Sequence, residues 1–319
     1  MVHEPTQKAS FVRRLTGTLA LLLGVTLISF ALTVYFGPDP TWELVGKNPT
    51  VSEIAQVRAE LGLDRPFMLR YVEYLRNLAT LELGHSTRTG EPVRSMLARS
   101  IPVTVMLIMP GFVAGLLLAI IAAMVGAWYR GRWPDRIINA LGATSMSLSF
   151  VVVILVLQSV FAVGLGWFPA RGWDVNGPIS YLQHVFVPSL ALIVVNLGYH
   201  LRFFRSVLAS QIDRDHVRAA RAFGAPPARI MISHVLANCW LAILTRILFT
   251  LPVMIVSGSL LLETWFGIPG VGRITYEAVV GGDQPVLMAI VSFSALLFAM
   301  VLGLTEQGYR RLDPRLAQP

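Results

Sequence analysis

Long uncharged, mostly apolar runs occupy positions 15–36, 101–128, 137–163, 184–199, 239–262 and 285–305. A helix of about 20 such residues crosses a bilayer core of roughly 30 Å, so each run predicts a membrane span. The fourth is the shortest and is predicted to continue through 201–208. Arg246 is the one charge inside any of the six. The first run follows Lys8, Arg13 and Arg14, as a secretory leader would. It is too long for one and has no small-residue cleavage site before Gly37, so it is expected to be retained. The pattern therefore predicts an all-α membrane protein of six transmembrane helices.

Two stretches between the runs have a pattern of their own. In 37–100, Thr50-Val51-Ser52-Glu53 has the form of a capping box, and Ile54, Val57, Leu61 and then Leu69, Val72, Leu75 recur at helical spacing. Two short amphipathic helices are expected there, packed on the outer side. The 209–238 connection is too long for a simple helix-to-helix link. Its Ala-rich part from His216 to Ala222 runs into Gly224, and Pro226-Pro227 stops any continuation. A second helix is expected from near Ala228 through His234 into the fifth span. A short helix stopped in this way is a knob for another protein, with small Ala219 and Ala220 for close approach and Arg218 and Arg221 as a charged rim. The alternative reading is a solvated basic loop on anionic lipid.

Composition agrees with a bilayer solvent: 55% of the 319 residues are hydrophobic and only 14% are charged, against about a quarter in soluble domains. The net charge of +8 does not indicate nucleic acid, because the basic residues lie beside span ends and not in one aromatic-interleaved patch. Lys8, Arg13 and Arg14, then Arg130, Arg132 and Arg136, then Arg202, Arg205, Arg214, Arg218, Arg221 and Arg229, and finally Arg310, Arg311 and Arg315 all fall on one side. The two short loops of the other side carry Arg171 and Arg273 alone. Positive charge in short loops stays inside, so both termini are expected to be cytoplasmic. The 37–100 segment balances eight basic residues with eight acidic ones and is long enough to cross regardless of charge.

The chemistry of catalysis is missing from the pattern. There is no nucleophile elbow and no Gly-rich phosphate loop ending in Lys and Ser or Thr, so a membrane-embedded hydrolase is disfavoured. The single Cys239 builds neither a disulfide framework nor a cysteine metal cluster, and the six histidines do not cluster. An ion-coupled secondary transporter would place carboxylates near mid-membrane, yet the acidic residues read as lying at span ends or outside.

A resemblance sharpens this. Ala219-Ala220 with Gly224 four residues later, and His234-Val235-Leu236 ten beyond, is similar to the signature loop of ABC importer permeases. Leu61-Gly62-Leu63-Asp64-Arg65-Pro66, Leu83-Gly84-His85-Ser86, Ser100-Ile101-Pro102-Val103-Thr104 and Gly166-Trp167-Phe168-Pro169 resemble the dipeptide, oligopeptide and nickel permease branch. So do the run from Glu263-Thr264-Trp265-Phe266-Gly267 to Ile268-Pro269-Gly270-Val271-Gly272 and the tail Leu312-Asp313-Pro314-Arg315. The chain departs from that branch at Phe223, where Lys is common, and at Ala242 and Leu148, where Pro is usual.

The resemblance implies the type I ABC importer permease fold in a bacterial cytoplasmic membrane, with a cytoplasmic N-terminus at 1–14, the first span at 15–36, an extracytoplasmic segment at 37–100, a permease core at 101–308 and a cytoplasmic tail at 309–319. It implies that Arg218, Ala219, Ala220, Arg221, Gly224, Pro226 and His234 form the ATPase-coupling loop. It also implies a second homologous permease, two cytoplasmic ATPase domains holding ATP and magnesium, and an extracytoplasmic solute-binding protein. The chain itself would be no enzyme, bind no cofactor and hold no metal. Peptides lead as solute, with nickel or a metal chelate second. Glu263 could contact solute or gate the path, or cap the following turn, whereas Pro269, Gly270 and Gly272 indicate an irregular segment at the outer gate. Arg246 lies either on the path or in a pair, or snorkels to the near interface.

The orientation is testable by labelling. Cysteines placed at Asn48 and Asn176 in a Cys239→Ser background are expected to react with an impermeant thiol reagent added outside. Labelling at Ala225 in intact cells would reverse the assignment.

Overall fold

The computed structural model describes residues 7–37, 41, 45, 50–60 and 62–312. The first six residues, parts of the external segment and the tail motif from 313 onward lie outside the described residues. Helices run in the order α1 (Gln7–Phe36), α2 (Val51–Glu60), α3 (Phe67–Thr80), α4 (Val93–Trp128), α5 (Trp133–Ser147), α6 (Phe150–Gly164), α7 (Pro178–Ile212), α8 (Asp215–Ala222), α9 (Pro227–Phe266), α10 (Val271–Gly281) and α11 (Gln284–Leu312). Of these, α1, α4, α7, α9 and α11 contain segments long and apolar enough to cross a membrane, and α5 with α6 makes a sixth crossing if the bent pair counts as one.

The bend corrects the expectation of a continuous third span. The two halves meet at 97°. Leu148 between them is extended, at φ −82° and ψ 131°. No proline causes this. The bend falls in the serine-rich stretch Ser145-Met146-Ser147-Leu148-Ser149, whose hydroxyls take backbone partners. Ser147 Oγ donates to the Ala143 carbonyl at 3.0 Å, and Ser145 Oγ donates to the Val194 carbonyl on α7.

The described residues gather into two units, one made of the chain up to Pro102 with Pro269–Gly303, the other of Val103–Ile268 with the residues after Gly303. In the first unit, the capping box at Thr50 forms as expected. The Thr50 amide donates to Glu53 Oε2 at 2.8 Å and the Glu53 amide to Thr50 Oγ1 at 3.3 Å. The Thr50 amide holds the Glu53 carboxyl below the usual carboxylate range, so this cap is complete at neutral pH and is lost as pH falls below that range.

Helix α3 also forms where expected but buries a different face. Leu69 and Val72 are exposed, together with Met68, while Tyr71 is buried. Tyr74 stacks on Phe30 of α1 at 5.4 Å, and Phe67 lies 5.4 Å from the same ring. The tyrosines win that face because each ring hydroxyl finds a partner when buried. Tyr71 Oη donates to the Leu23 carbonyl at 2.9 Å, and Tyr74 bonds Ser292. Further along, Ser86 and the Thr87 amide both donate to Asp283, which is itself buried at the start of α11. That contact pins the Gly84-His85-Ser86 motif.

The second unit is held by close helix crossings. A Cβ on Gly111 of α4 would lie 2.8 Å from the Ser189 Cα of α7. A Cβ on Gly198 would strike the Gly142 carbonyl of α5 and lie 2.8 Å from Met146 Cγ. Small residues let helices approach where lipid supplies no hydrophobic drive for association. The α5–α7 crossing also carries a charge pair the sequence did not reveal. Arg205 Nε and Nη2 donate to the two Asp135 oxygens at 2.6 and 2.7 Å, and the Gly131 amide and Asn139 Nδ2 add bonds of 2.8 Å each. A buried pair offsets its desolvation only with such full hydrogen bonding.

These crossings give the fold a direct test. Gly198→Ala should lower the melting temperature in detergent, as overpacking of about 1–3 kcal/mol does. Gly303→Ala, with nothing within 4 Å of its Cβ, should match or slightly exceed the parent by up to about 1 kcal/mol. Equal melting of Gly198→Ala and the parent would contradict the close crossing.

Candidate functional site

Helix α7 ends at Ile212, and Asp213 and Arg214 turn the chain into α8. Helix α8 stops at Ala222, as the glycine and proline pair requires. Gly224 has φ +76°, a left-handed conformation that costs a side-chain-bearing residue about 1–2 kcal/mol. The Ala225 amide donates to the Ala220 carbonyl at 3.1 Å and the Gly224 amide to the Arg221 carbonyl at 3.0 Å, closing the helix end. Pro226 is extended and Pro227 opens α9.

The loop has a fixed inner face. Val217 and Ala220 are buried in one apolar cluster with Leu208 and Ile212 of α7 and Ile230, Met231 and Val235 of α9. His216 Nε2 donates to the His234 carbonyl at 3.2 Å, which also accepts from Asn238 Nδ2 at 2.6 Å. His234 lies in a stretch of π-helix, Ile230–Leu236, at the base of α9. Such turns free carbonyls from the regular ladder.

The outer face differs from the sequence expectation in one respect. Ala219 is exposed but Ala220, only 8% exposed, turns into the chain's own core. Arg221 lies with its guanidinium 5.1 Å from the Trp128 ring centre of α4, a tie to this chain as well as a rim charge. Arg218 makes an exposed pair with Asp215 at 3.6 Å, which contributes little to stability. Phe223, in the sequence only a departure from the family pattern, is 91% exposed. A phenyl ring turned to water beside a helix stop was the available signal.

At the other end of α9, Glu263 is fully buried, and Thr104 Oγ1 of α4 donates to its Oε1 at 2.6 Å. Its backbone carbonyl accepts from Ile268 at 2.8 Å, and Gly267 is left-handed at φ +71°. The adjoining residues bind the 165–177 connection. Trp265 Nε1 donates to Gln158 Oε1 at 2.6 Å, Arg171 Nε to the Trp265 carbonyl at 3.1 Å, and the Gly172 amide to the Phe266 carbonyl at 2.7 Å. Thus two of the sequence motifs, at 166–169 and 263–272, meet through their neighbours. Pro269, Gly270 and Gly272 belong to the other unit. There Gly270 is the N-cap of α10, Gly272 is buried in its first turn and Pro269 is exposed.

Arg246 lies near the midpoint of α9, roughly 28 Å from its first residue at about 1.5 Å per residue. Its guanidinium sits 5.4 Å from the Phe203 ring centre, and Nε is buried with no hydrogen-bond partner. On α7, His200 is 3% exposed, stacks on Phe204 at 5.8 Å and interacts electrostatically with Arg246. Among the described residues, no three or more His, Cys, Asp or Glu side chains are arranged to hold a metal ion.

Residues 96–318 match the family model described as binding-protein-dependent transport system inner membrane component, and residues 9–108 match the model of its N-terminal region. A putative peptide transport system permease protein of Brucella abortus is 29% identical over 310 residues, covering 97% of this chain and 98% of that protein. The dipeptide transport system permease protein DppB of Bacillus subtilis is 30% identical over 307 residues, 96% of each chain. Among solved structures, an inward-facing form of the MetNI methionine ABC transporter matches with a TM-score of 0.57 and 17% identity, covering 70% of this chain and 99% of that one, which speaks to fold alone. By sequence along nearly its whole length and by its type I importer permease fold, the chain belongs to the family of inner-membrane components of binding-protein-dependent transport systems.

Proposed function

We propose that this chain is one permease subunit of an ATP-driven importer of di- or oligopeptides. It pairs with a second homologous permease, and the solute passes between them by alternating access. Two separate cytoplasmic ATPase domains hold ATP and magnesium, and an extracytoplasmic binding protein delivers the solute. Both termini and helix α8 lie on the cytoplasmic side. The chain carries out no chemistry of its own. Family membership supports the importer assignment, and the names of the Brucella and Bacillus relatives support peptides as the solute.

The observation that carries this reading is the two-faced construction of α8. Its inner face is over-determined by Val217, Ala220 and the His216 bond to α9, while its outer face offers Phe223, Ala219 and Arg218. A load applied to the exposed face therefore passes into α7 and α9 without bending α8. A solvated loop would need no such anchoring. Aromatic and arginine side chains are also what protein interfaces enrich. Arg246 is assigned to the solute path, where a lone guanidinium would meet peptide carboxyl or carbonyl groups.

Substitutions at Gly224 separate conformation from bulk. No atom lies within 4 Å of a Cβ there, so a side chain has room and only the left-handed backbone resists it. Gly224→Leu is expected to lose most peptide uptake at equal membrane abundance. Gly224→Asn, similar in volume but tolerant of that conformation, should retain most of it. Normal uptake by the Leu variant would remove the coupling role. For Arg246, uptake by Arg246→Leu should fall at least about tenfold, the equivalent of 1.4 kcal/mol. Partial recovery in Arg246→Lys would show that charge is the requirement. Parental uptake by Arg246→Leu would take the residue off the path.

A further inference from the structure

The unit built from the chain up to Pro102 and Pro269–Gly303 carries an open cavity of about 470 Å³, within the range of about 300–1,000 Å³ typical of small-molecule sites. Its floor is apolar, formed by Phe30, Leu78, Leu83, Met288 and Ala289. Its rim is charged with both signs. Glu60 and Glu82 lie there with Arg65, which pairs with Glu73 at 3.3 Å. Arg70 is held over the opening by the Leu63 carbonyl at 3.3 Å and the Phe30 ring at 6.0 Å. Thr87 also lines the cavity, and its Oγ1 is buried with no hydrogen-bond partner. That hydroxyl is closed off from the cavity, so the polar character of the site comes from its charged rim.

Position narrows the ligand. Phe30 is near the end of α1, and Met288 and Ala289 are in the first turns of α11. The cavity therefore lies at the depth where both spans leave the hydrocarbon. Helix α3, which forms one wall, turns Met68, Leu69 and Val72 outward, as a helix lying in the bilayer interface does. A ligand with an apolar part for the floor and a headgroup for the rim is an amphiphile. Three carboxylates against two guanidinium groups favour a headgroup that carries an amine as well as a phosphate. A primary ammonium donates hydrogen bonds to Glu60 and Glu82, whereas a quaternary one cannot, and Arg65 and Arg70 suit phosphate oxygens.

We propose that this cavity is a binding site for an ethanolamine phospholipid, with its phosphate at Arg65 and Arg70, its amine at Glu60 and Glu82, and its upper acyl carbons on Phe30 and Met288. A small peptide shares the amine and the anion but carries no acyl chain, and the competition arm below separates the two. The site is independent of the solute the transporter carries.

The test uses the whole transporter complex in nanodiscs containing equal mole fractions of phosphatidylethanolamine, phosphatidylglycerol and phosphatidylcholine, released and read by native mass spectrometry. Phosphatidylethanolamine should be retained over both others at one per copy of this chain. Glu82→Gln, an exposed change, should lower that retention by about tenfold, as loss of one charge-assisted contact of about 1.4 kcal/mol would. Met288→Trp, which fills the floor, should abolish it. Equal retention of the three lipids, or unchanged retention in both variants, would overturn the proposal. Displacement of the lipid by soluble glycerophosphoethanolamine or by a dipeptide at equal concentration would also overturn it, since neither brings acyl chains.

Discussion

A backbone amide or carbonyl with no partner in hydrocarbon costs several kcal/mol, and the places where this chain leaves the helix between its apolar segments show how that requirement is met. At the α5–α6 bend, the Leu148 amide keeps a long contact of 3.4 Å to Ser145, and the Val153 amide restarts the ladder on Ser149 at 3.0 Å. Ser145 Oγ ties the bend to α7. Beyond α9, the Ile268 amide returns to Glu263, and the Phe266 and Trp265 carbonyls are taken by Gly172 and Arg171. Irregular backbone persists where protein groups replace the missing turn.

The same logic governs the polar side chains that the bundle encloses. Asp135 is admitted at the α5–α7 crossing because Arg205, Asn139 and Gly131 saturate it. Glu263 is admitted beside Thr104. Close approach supplies the remaining cohesion, through glycines at 111 and 198 that leave no room for a Cβ. Helix α8 inherits its rigidity from this framework, since Val217 and Ala220 belong to the same cluster as the α7 and α9 residues around them.

Much of this was legible in the sequence, because apolar length and the glycine and proline stops are one-dimensional signals. Five apolar crossings, the extension of the fourth run, the short helix before Gly224 and the Thr50 cap all follow from spacing. Other features depend on what lies opposite in space. The period marks Leu69 and Val72 as one apolar face of α3, yet the tyrosines take the inner face, where the Leu23 carbonyl and Ser292 bond them. Ala220 turned inward because α8 needs its own apolar contact. The bend at Leu148 carries no proline, and its tie to α7 through Ser145 is a contact in space that the local sequence does not display. The partnership of Asp135 with Arg205, 70 positions apart, could not be inferred from either alone.

Helix α9 is one continuous 40-residue helix with His234 near one end and Glu263 near the other, about 60 Å from end to end at about 1.5 Å per residue. Thermodynamic reciprocity then binds the two ends together. If an event at one end changes the free energy of the other by some amount, occupancy at the second must act back on the first by that same amount. A helix of this kind has no privileged direction. Any such coupling would read equally from the His234 end to the Glu263 end and back.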